Sequence, residues 1–406
     1  MGQIEIPLAM QGLDEAEIEL VCNVFRSGNH TMGAHVQEFE LAFAKKMKVK
    51  HAVMVNSGSS ANLLALEAIT RGLANKVDQK KGLVAVPAIL WPTTIWPIIQ
   101  LGYKALLIDT LPNSLEIDLE QLISAKEKYG EELVGAFIIH PLGKSVSLKR
   151  IKYIKDKYGI FIIEDTCESL GAGEDQIFAG TVGDFGTFSF YYSHHMTTVE
   201  GGMVVTNSDT YADDLKSMRA HGWTRNRSDR AHFEDDGDSL EQDFNFVTSG
   251  FNFRPMEFQG ALGLSQLKKL DTFIERRIEI ADHISSSIPE SYIEIIESSN
   301  TLNFLKSTNN HNPVNHSWMA LPCRLKNSRI KLADLHYKLN QAGIHTRPLL
   351  AGNFSKQLAG RDKAIHSFGS LQNSESIYET SFMLGNHHGF SEEQVNKIID
   401  ELRKFQ

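Results

Sequence analysis

The sequence is poor in cysteine: three in 406 residues, at Cys22, Cys167 and Cys323, far apart along the chain. None pair up at metal-ligand spacing, which excludes a metal site wound on neighbouring thiols, and so sparse and odd a number predicts free thiols in a reducing cytoplasm. Positive charge is also short, with 41 Lys and Arg against 50 Asp and Glu and a net charge of −9. That balance argues against nucleic acid or an anionic membrane as the main partner. The opening Met-Gly-Gln-Ile-Glu-Ile-Pro lacks the basic stretch and apolar core of a secretory leader, so a cytoplasmic location is expected. An uncharged run, Gly82–Tyr103, is long enough for a membrane helix. It carries Pro87, Pro92 and Pro97, which would break such a helix repeatedly, so a buried strand, a loop and a helix start are expected instead. The most pointed absence is lysine: none occurs between Lys157 and Lys216.

What is present reads as an ordinary globular composition, 42% hydrophobic and 22% charged. Short β-rich runs (His51–Asn56, Leu83–Pro87, Ala105–Asp109, Leu133–His140, Ile160–Asp165, Gly186–Tyr191, Met203–Thr206) alternate with helical patterns such as Ala61–Arg71, Asp118–Tyr129 and Leu148–Tyr158. This alternation predicts an α/β fold, a mostly parallel sheet with helices on both faces and ligands at the carboxyl ends of the strands. Residues Thr224–Asn245 are dense in charge and read as a long exposed loop, either solvated or covering a site. A helix over Met256–Ile280 leads out of a large domain (1–275). A smaller C-terminal α/β domain (276–406) follows, with a polar loop at Ser307–His316 and a last helix at Ser391–Phe405.

Several motifs sit where strands end. Asn56-Ser-Gly-Ser-Ser-Ala-Asn62 follows a strand and opens a helix, so Gly58 and Ser59 can offer backbone N–H groups to a phosphate; plain helix capping would use the same residues. Asp165 and Glu168, in Glu164-Asp-Thr-Cys-Glu168, would protrude at a strand end and suit a cofactor ring nitrogen, a helix cap or a metal. Trp91 can stack on a flat ring or pack in the core. His194-His195 could be a metal pair or ordinary histidines, yet neither accounts for their register with Glu200-Gly201-Gly202. Arg219-Ala-His-Gly-Trp-Thr-Arg-Asn226 is rich in donors for phosphate or carboxylate, or is a solvated basic loop. Gly250-Phe-Asn-Phe-Arg-Pro255 precedes the long helix.

Taken together and in this order, these segments resemble the nucleotide-sugar aminotransferase and dehydratase family, fold-type-I enzymes that use pyridoxal 5'-phosphate (PLP). The resemblance spans nearly the whole chain and rests on Ala52–Asn62, Tyr191–Gly202, Arg219–Asn226, Asn252–Pro255, Ala342–Phe354 and Gly385-Asn-His387. The family's cofactor-binding lysine sits six residues before the Glu of its Glu-Gly-Gly turn; here that position is His194. An imidazole can carry a proton but cannot form a Schiff base with PLP. The resemblance therefore implies the dehydratase branch, a lyase that removes the C3 hydroxyl of a 4-keto-6-deoxy nucleotide sugar, GDP-4-keto-6-deoxy-D-mannose first, as in colitose and O-antigen biosynthesis. L-Glutamate would regenerate pyridoxamine 5'-phosphate (PMP). A lysine-less aminotransferase and a non-catalytic sugar-nucleotide-binding regulator are the alternatives. A related lysine-less branch carries an iron–sulfur cluster on four cysteines, one more than this chain has.

Residue by residue, the resemblance implies Gly58, Ser59 and Ser189 at the cofactor phosphate, Trp91 on its ring, Asp165 at the ring nitrogen and Glu168 near the ring face or hydroxyl. His194 would be the catalytic base. Asn252 would reach the phosphate in the neighbouring subunit, making a homodimer with sites at the interface. His221 and Arg254 would meet glutamate; Gly28, Asn29, His30, Thr31 and Arg225 would meet the sugar nucleotide. The family commonly has Gly where this chain has Val199, a change expected to be compatible with the turn.

Overall fold

The apolar runs pair as expected in the computed structural model, which describes residues 4–73, 82–234, 243–289, 292–297, 312–326 and 330–405. They form one eight-stranded sheet. From edge to edge it runs β1 (His51–Val55), β9 (Gly202–Thr206), β8 (Phe185–Ser189), β5 (Phe161–Asp165), β4 (Leu133–Ile139), β2 (Leu83–Pro87), β3 (Lys104–Ile108) and β13 (Ile365–Ser367). β9 is antiparallel to both its neighbours and the other pairs are parallel. The carboxyl ends of β1, β2, β4, β5 and β8 therefore share one edge of the sheet.

Side chains alternate across a strand, so each strand buries two faces. On β2, Val84 and Val86 pack with α3 (Gly58–Arg71), α4 (Pro92–Gln100) and α7 (Asp209–Met218) through Leu64, Ile95, Ile98 and Leu215. Leu83 and Ala85 face the opposite layer, α5 (Leu119–Tyr129) and α6 (Leu148–Tyr158), through Leu122, Ile151 and Ile154. The proline-rich run is the expected strand, loop and helix: Pro87 closes β2 and Pro92 stands in the first turn of α4. Pro97 lies inside α4 and has no N–H for the Thr93 carbonyl; Asn62 Nδ2 reaches that carbonyl at 3.4 Å instead. Among the described residues no helix is long and apolar enough to cross a membrane.

α1 (Glu15–Ser27) and α2 (Ala34–Met47) lie along α8 (Glu257–Ser287). The approach of α2 depends on glycine: a Cβ at Gly263 would stand 2.5 Å from the Phe39 ring, and one at Gly260 2.5 Å from the Val36 nitrogen. Phe43 then meets Phe188 and Phe190 at centroid distances of 5.2 and 5.5 Å.

The smaller sheet is antiparallel, in the order β10 (Ile293–Ile295), β11 (Ala320–Leu325), β14 (Ser381–Gly385) and β12 (Thr346–Pro348). It is joined by α9 (Leu332–Gln341), α10 (Gln372–Thr380) and α11 (Glu392–Arg403), and a two-stranded ribbon, β6 (Gly173–Glu174) with β7 (Ile177–Phe178), completes the strands described. The boundary expected at 275 falls inside α8, and β13 pairs with β3 of the large sheet although it lies between β12 and β14 in sequence. The charged segment from Thr224 is more folded than a solvated loop: it has short helical turns at Thr224–Asn226 and Arg230–Phe233, and Arg227 is buried against Asp214 and Asp229. Its residues 235–242, and 307–311 of the Ser307–His316 loop, lie outside the described residues.

Phe43→Ala should lower the unfolding free energy by about 3–5 kcal/mol, since the cavity it leaves is walled by rings that cannot collapse inward. Denaturant titration checks this; an unchanged midpoint would remove the aromatic cluster from the account of stability.

Candidate active site

A cavity of about 380 Å3 opens at the carboxyl edge of the large sheet. The ends of β1, β2, β4, β5 and β8 bring Gly58, Ser59, Trp91, Asp165, Glu168, Ser189 and His194 into its wall. The cofactor-site residues expected from sequence thus converge, apart from Asn252, although they are spread from position 58 to 194.

At one end, Ser57 caps α3: its hydroxyl accepts the Ser60 N–H at 3.1 Å and its carbonyl the Ala61 N–H at 3.0 Å. The Gly58 and Ser59 amides of the same turn have no acceptor among the described residues. Gly58 is there for space: a Cβ would stand 2.6 Å from the Ser189 Cβ and 3.1 Å from the Cys167 sulfur. Opposite, Asp165 is nearly buried and its Oδ2 accepts from Asn62 Nδ2 at 2.8 Å and Thr94 Oγ1 at 2.7 Å. Asn62 is held in turn by Thr187, whose hydroxyl donates to Asn62 Oδ1 at 2.6 Å. The Asp165 carboxylate therefore keeps a fixed direction, set by α3, α4 and β8 together.

Glu168 Oε2 accepts the Leu142 N–H at 3.0 Å. Burial, with Asp165 close by, pushes its carboxyl up to about 7. Burial also raises the Cys167 thiol well above its ordinary value, assisted by Asp165 and Glu168, so it stays neutral. Trp91 is the residue preceding α4 and is 46% exposed, a cavity wall rather than a core ring, with the Arg347 guanidinium 5.3 Å from its centroid.

His194 and His195 point apart. The His195 ring is fully buried, with Nε2 3.1 Å from the Ser317 carbonyl. His194 lines the cavity, its Nδ1 buried without a hydrogen-bond partner among the described residues. Burial, then the charges of Arg277 and Arg347, push the imidazole down to about 4, so it is neutral near pH 7. No lysine is among the described residues lining the cavity. The turn beyond is held by Thr198 Oγ1 on the Glu200 carbonyl at 2.6 Å. Val199 takes φ 71°, left-handed backbone that valine resists, so the turn accommodates valine at a cost in strain.

Gly28, Asn29, His30, Thr31, His221, Arg225, Asn252 and Arg254 are not in the cavity wall. They lie on exposed or half-buried backbone: Thr31 bridges Met256 and the His30 carbonyl accepts the Glu257 N–H at the start of α8, while Ala220 bridges Asn252. Arg254 Nε donates to Asn252 Oδ1 at 3.0 Å. The donor-rich run splits: Arg225 is exposed, but Arg219 is buried and bonded to Glu40 and the Met54 carbonyl, so it is not part of a solvated loop. Asn62, Thr94, Thr187 and Arg347 were missed by sequence reasoning. The first ends a motif already singled out, while Arg347 comes from the distant β12 and carries no local signal.

The sequence pattern of the DegT/DnrJ/EryC1/StrS aminotransferase family matches residues 11–403. The chain is 36% identical over 414 residues to a GDP-4-keto-6-deoxy-D-mannose 3-dehydratase from Yersinia pseudotuberculosis, covering 99% of each. Its fold is similar to that of the Escherichia coli GDP-4-keto-6-deoxy-D-mannose-3-dehydratase with bound hydrated PLP, with a TM-score of 0.88, 33% identity and coverage of 99% of this chain and 100% of that one. A structure of a GDP-4-keto-6-deoxymannose-3-dehydratase with a trapped PLP-glutamate geminal diamine gives 0.87, 32%, 98% and 100%.

The raised Glu168 carboxyl has a signed consequence. The native state holds that proton more tightly than the unfolded chain, so its contribution to stability falls as pH climbs from 4.5 through about 7. In cofactor-free protein, Glu168→Gln should gain stability relative to the parent across that window and show a constant difference on either side. Denaturant unfolding against pH tests this; a pH-independent difference would mean that Glu168 is not raised.

Proposed function

Because the chain belongs to the DegT/DnrJ/EryC1/StrS aminotransferase family, we propose that it is a PLP-dependent dehydratase that removes the C3 hydroxyl of a nucleotide-linked 4-keto-6-deoxy sugar. GDP-4-keto-6-deoxy-D-mannose is the substrate and L-glutamate the amine donor, as the names of its relatives indicate. The observation that carries the reading is a neutral imidazole, His194, lining a cavity with no lysine among the described residues of its wall.

The donor set fits the cofactor. The cavity has anion-binding amides at Gly58 and Ser59 beside the Ser189 hydroxyl, a fixed carboxylate at Asp165 and an aromatic wall at Trp91. The missing Cβ at Gly58 is what lets the α3 turn close on Ser189. Gly58, Ser59 and Ser189 would hold the phosphate, Trp91 the ring face and Asp165 the ring nitrogen, with Glu168 near the ring hydroxyl. When bound, PLP cycling with PMP supplies an amine for the sugar ketone and a ring that withdraws electrons. Asn62 and Thr94 would keep Asp165 aimed at the ring nitrogen. His194 would accept a proton at Nε2, since Nδ1 is buried, and return it to the departing C3 hydroxyl. With no lysine amine at this position, the cofactor would be held by these non-covalent contacts.

The remaining residues support a homodimer. Gly28, Asn29, His30, Thr31, His221, Arg225, Asn252 and Arg254 lie outside the cavity wall of their own chain, and two exposed apolar residues accompany them, Phe25 beside His30 and Met256 beside Thr31. We place them across the interface, with Asn252 at the partner's cofactor phosphate, His221 and Arg254 at glutamate, and the others at the sugar nucleotide. Three free thiols suit a reducing cytoplasm as the location.

Incubation with PMP, glutamate and GDP-4-keto-6-deoxy-D-mannose should give a product lacking the C3 oxygen, with ammonia released. Retained nitrogen in the product would favour an aminotransferase. His194→Lys should abolish the dehydration and bring a lysine-bound cofactor absorbance; dehydration at the parental rate would remove His194 as the base. For the dimer, His194→Asn and Asn252→Ala proteins, each impaired alone, should recover activity on mixing and refolding, as mixed dimers regain one intact site. No recovery would place Asn252 outside the shared site.

A further inference from the structure

Arg277, on α8, is completely buried, and no carboxylate is among its hydrogen-bond partners among the described residues. Burial alone brings its guanidinium down to about 9, so it remains charged near neutrality. A buried cation without a counter-ion is costly, and an apolar side chain of similar size would pack the same space more cheaply. Its two terminal nitrogens donate to carbonyl oxygens on three separate segments: Met319 just before β11 at 2.9 Å, Asn386 just past β14, and His194 on the lysine-less loop at 3.2 Å, while Nε has no partner among the described residues. Asn386 answers by donating Nδ2 to the Arg277 carbonyl at 3.0 Å and to the Trp318 carbonyl at 2.9 Å. The clamp therefore ties the His194 main chain to the C-terminal sheet through a rigid, planar fork that lysine could not reproduce.

The same charge faces a group of imidazoles. His194, His195, His387 and His388 are all held below the ordinary histidine range, by burial first and then by Arg277. Around His194 the other facing groups are Arg347 from β12, Asp165, Cys167 and Glu168 from the end of β5, and Tyr191, His195 and Glu200 from its own loop. Cys167 and Glu168 are both pushed toward their neutral forms, which leaves the two guanidiniums as the strong opposing charges.

We propose that Arg277 is a positioning residue for His194: it fastens the His194 main chain to the C-terminal sheet and sets a permanent positive charge against the imidazole. The proposal rests on His194 acting as the base. Arg277 touches neither substrate nor cofactor in this role; it acts through the loop it holds.

The test uses PLP-loaded enzyme labelled at histidine Cε1, with His194 assigned by the loss of its signal in His194→Asn. In Arg277→Met, the His194 titration should move up by about one pH unit, the low end of what a single neighbouring charge commands, because burial is the larger cause and remains. The acid limb of kcat/KM should move with it. Arg277→Lys keeps the charge and loosens the fork, so its titration should stay near the parent while kcat falls and KM changes little. Arg277→Gln, which drops the charge but retains an amide for the carbonyls, repeats the first arm if the methionine variant does not fold. A folded charge-free variant whose His194 signal and acid limb are both unmoved overturns the proposal and leaves Arg277 a packing residue. The NMR readout does not need turnover, so a moved signal with no dehydration counts against the proposed function alone. Dehydration with an unmoved signal counts against Arg277 alone.

Discussion

The Asp165 carboxylate, buried at the end of β5, is the point around which the cavity is built. Its Oδ2 takes one hydrogen bond from Asn62 on α3 and one from Thr94 on α4, and Asn62 is set by Thr187 on β8. Asn62 also takes up the Thr93 carbonyl that Pro97 cannot reach, so one amide repairs a helix and aims a carboxylate. A buried carboxylate needs every such donor, because leaving it unpaired costs several kcal/mol. The parallel strand order makes this possible: it delivers β1, β2, β5 and β8 to one edge, where the N-terminal turns of α3 and α4 can meet a single side chain.

Across the cavity the proposed chemistry rests on a subtraction. Where the resemblance expects a lysine amine, this chain places an imidazole that burial and two guanidiniums keep neutral. Under the proposed function no covalent tether would form, and non-covalent contacts at the two ends and the face of a flat cofactor would hold it. That is why Gly58 matters beyond its flexibility. The α3 turn can close on Ser189 only if no Cβ intervenes, and with no tether the amides at that turn would carry more of the cofactor's binding.

Much of the fold could be read along the chain. The strands and helices of the large sheet lie within a few residues of their apolar runs, because period-two and period-3.6 patterns register burial on sheet and helix faces. Asp165 and the Gly58-Ser59 turn were legible because strand ends and helix starts are where such groups can face a ligand. Arg219 was misleading for the opposite reason: a cation in a basic run looks solvated, and only packing against Glu40 and the Met54 carbonyl turns it inward. The charged stretch after Thr224 likewise folds down where Arg227 finds Asp214.

The sequence by itself determined the layered α/β architecture and the absence of lysine between Lys157 and Lys216, since each is a local matter of pattern or chemical type, while the residues proposed to hold a cofactor came from the family resemblance. Tertiary structure alone decided which of them share a wall. It turned His194 to the cavity and His195 away, brought Arg347 from β12 and Arg277 from α8 to bear on the imidazole, and left Asn252 and Arg254 outside their own chain's cavity. Those outcomes depend on contacts between segments eighty or more residues apart, where charge and burial act through space and leave no trace in the order of the chain.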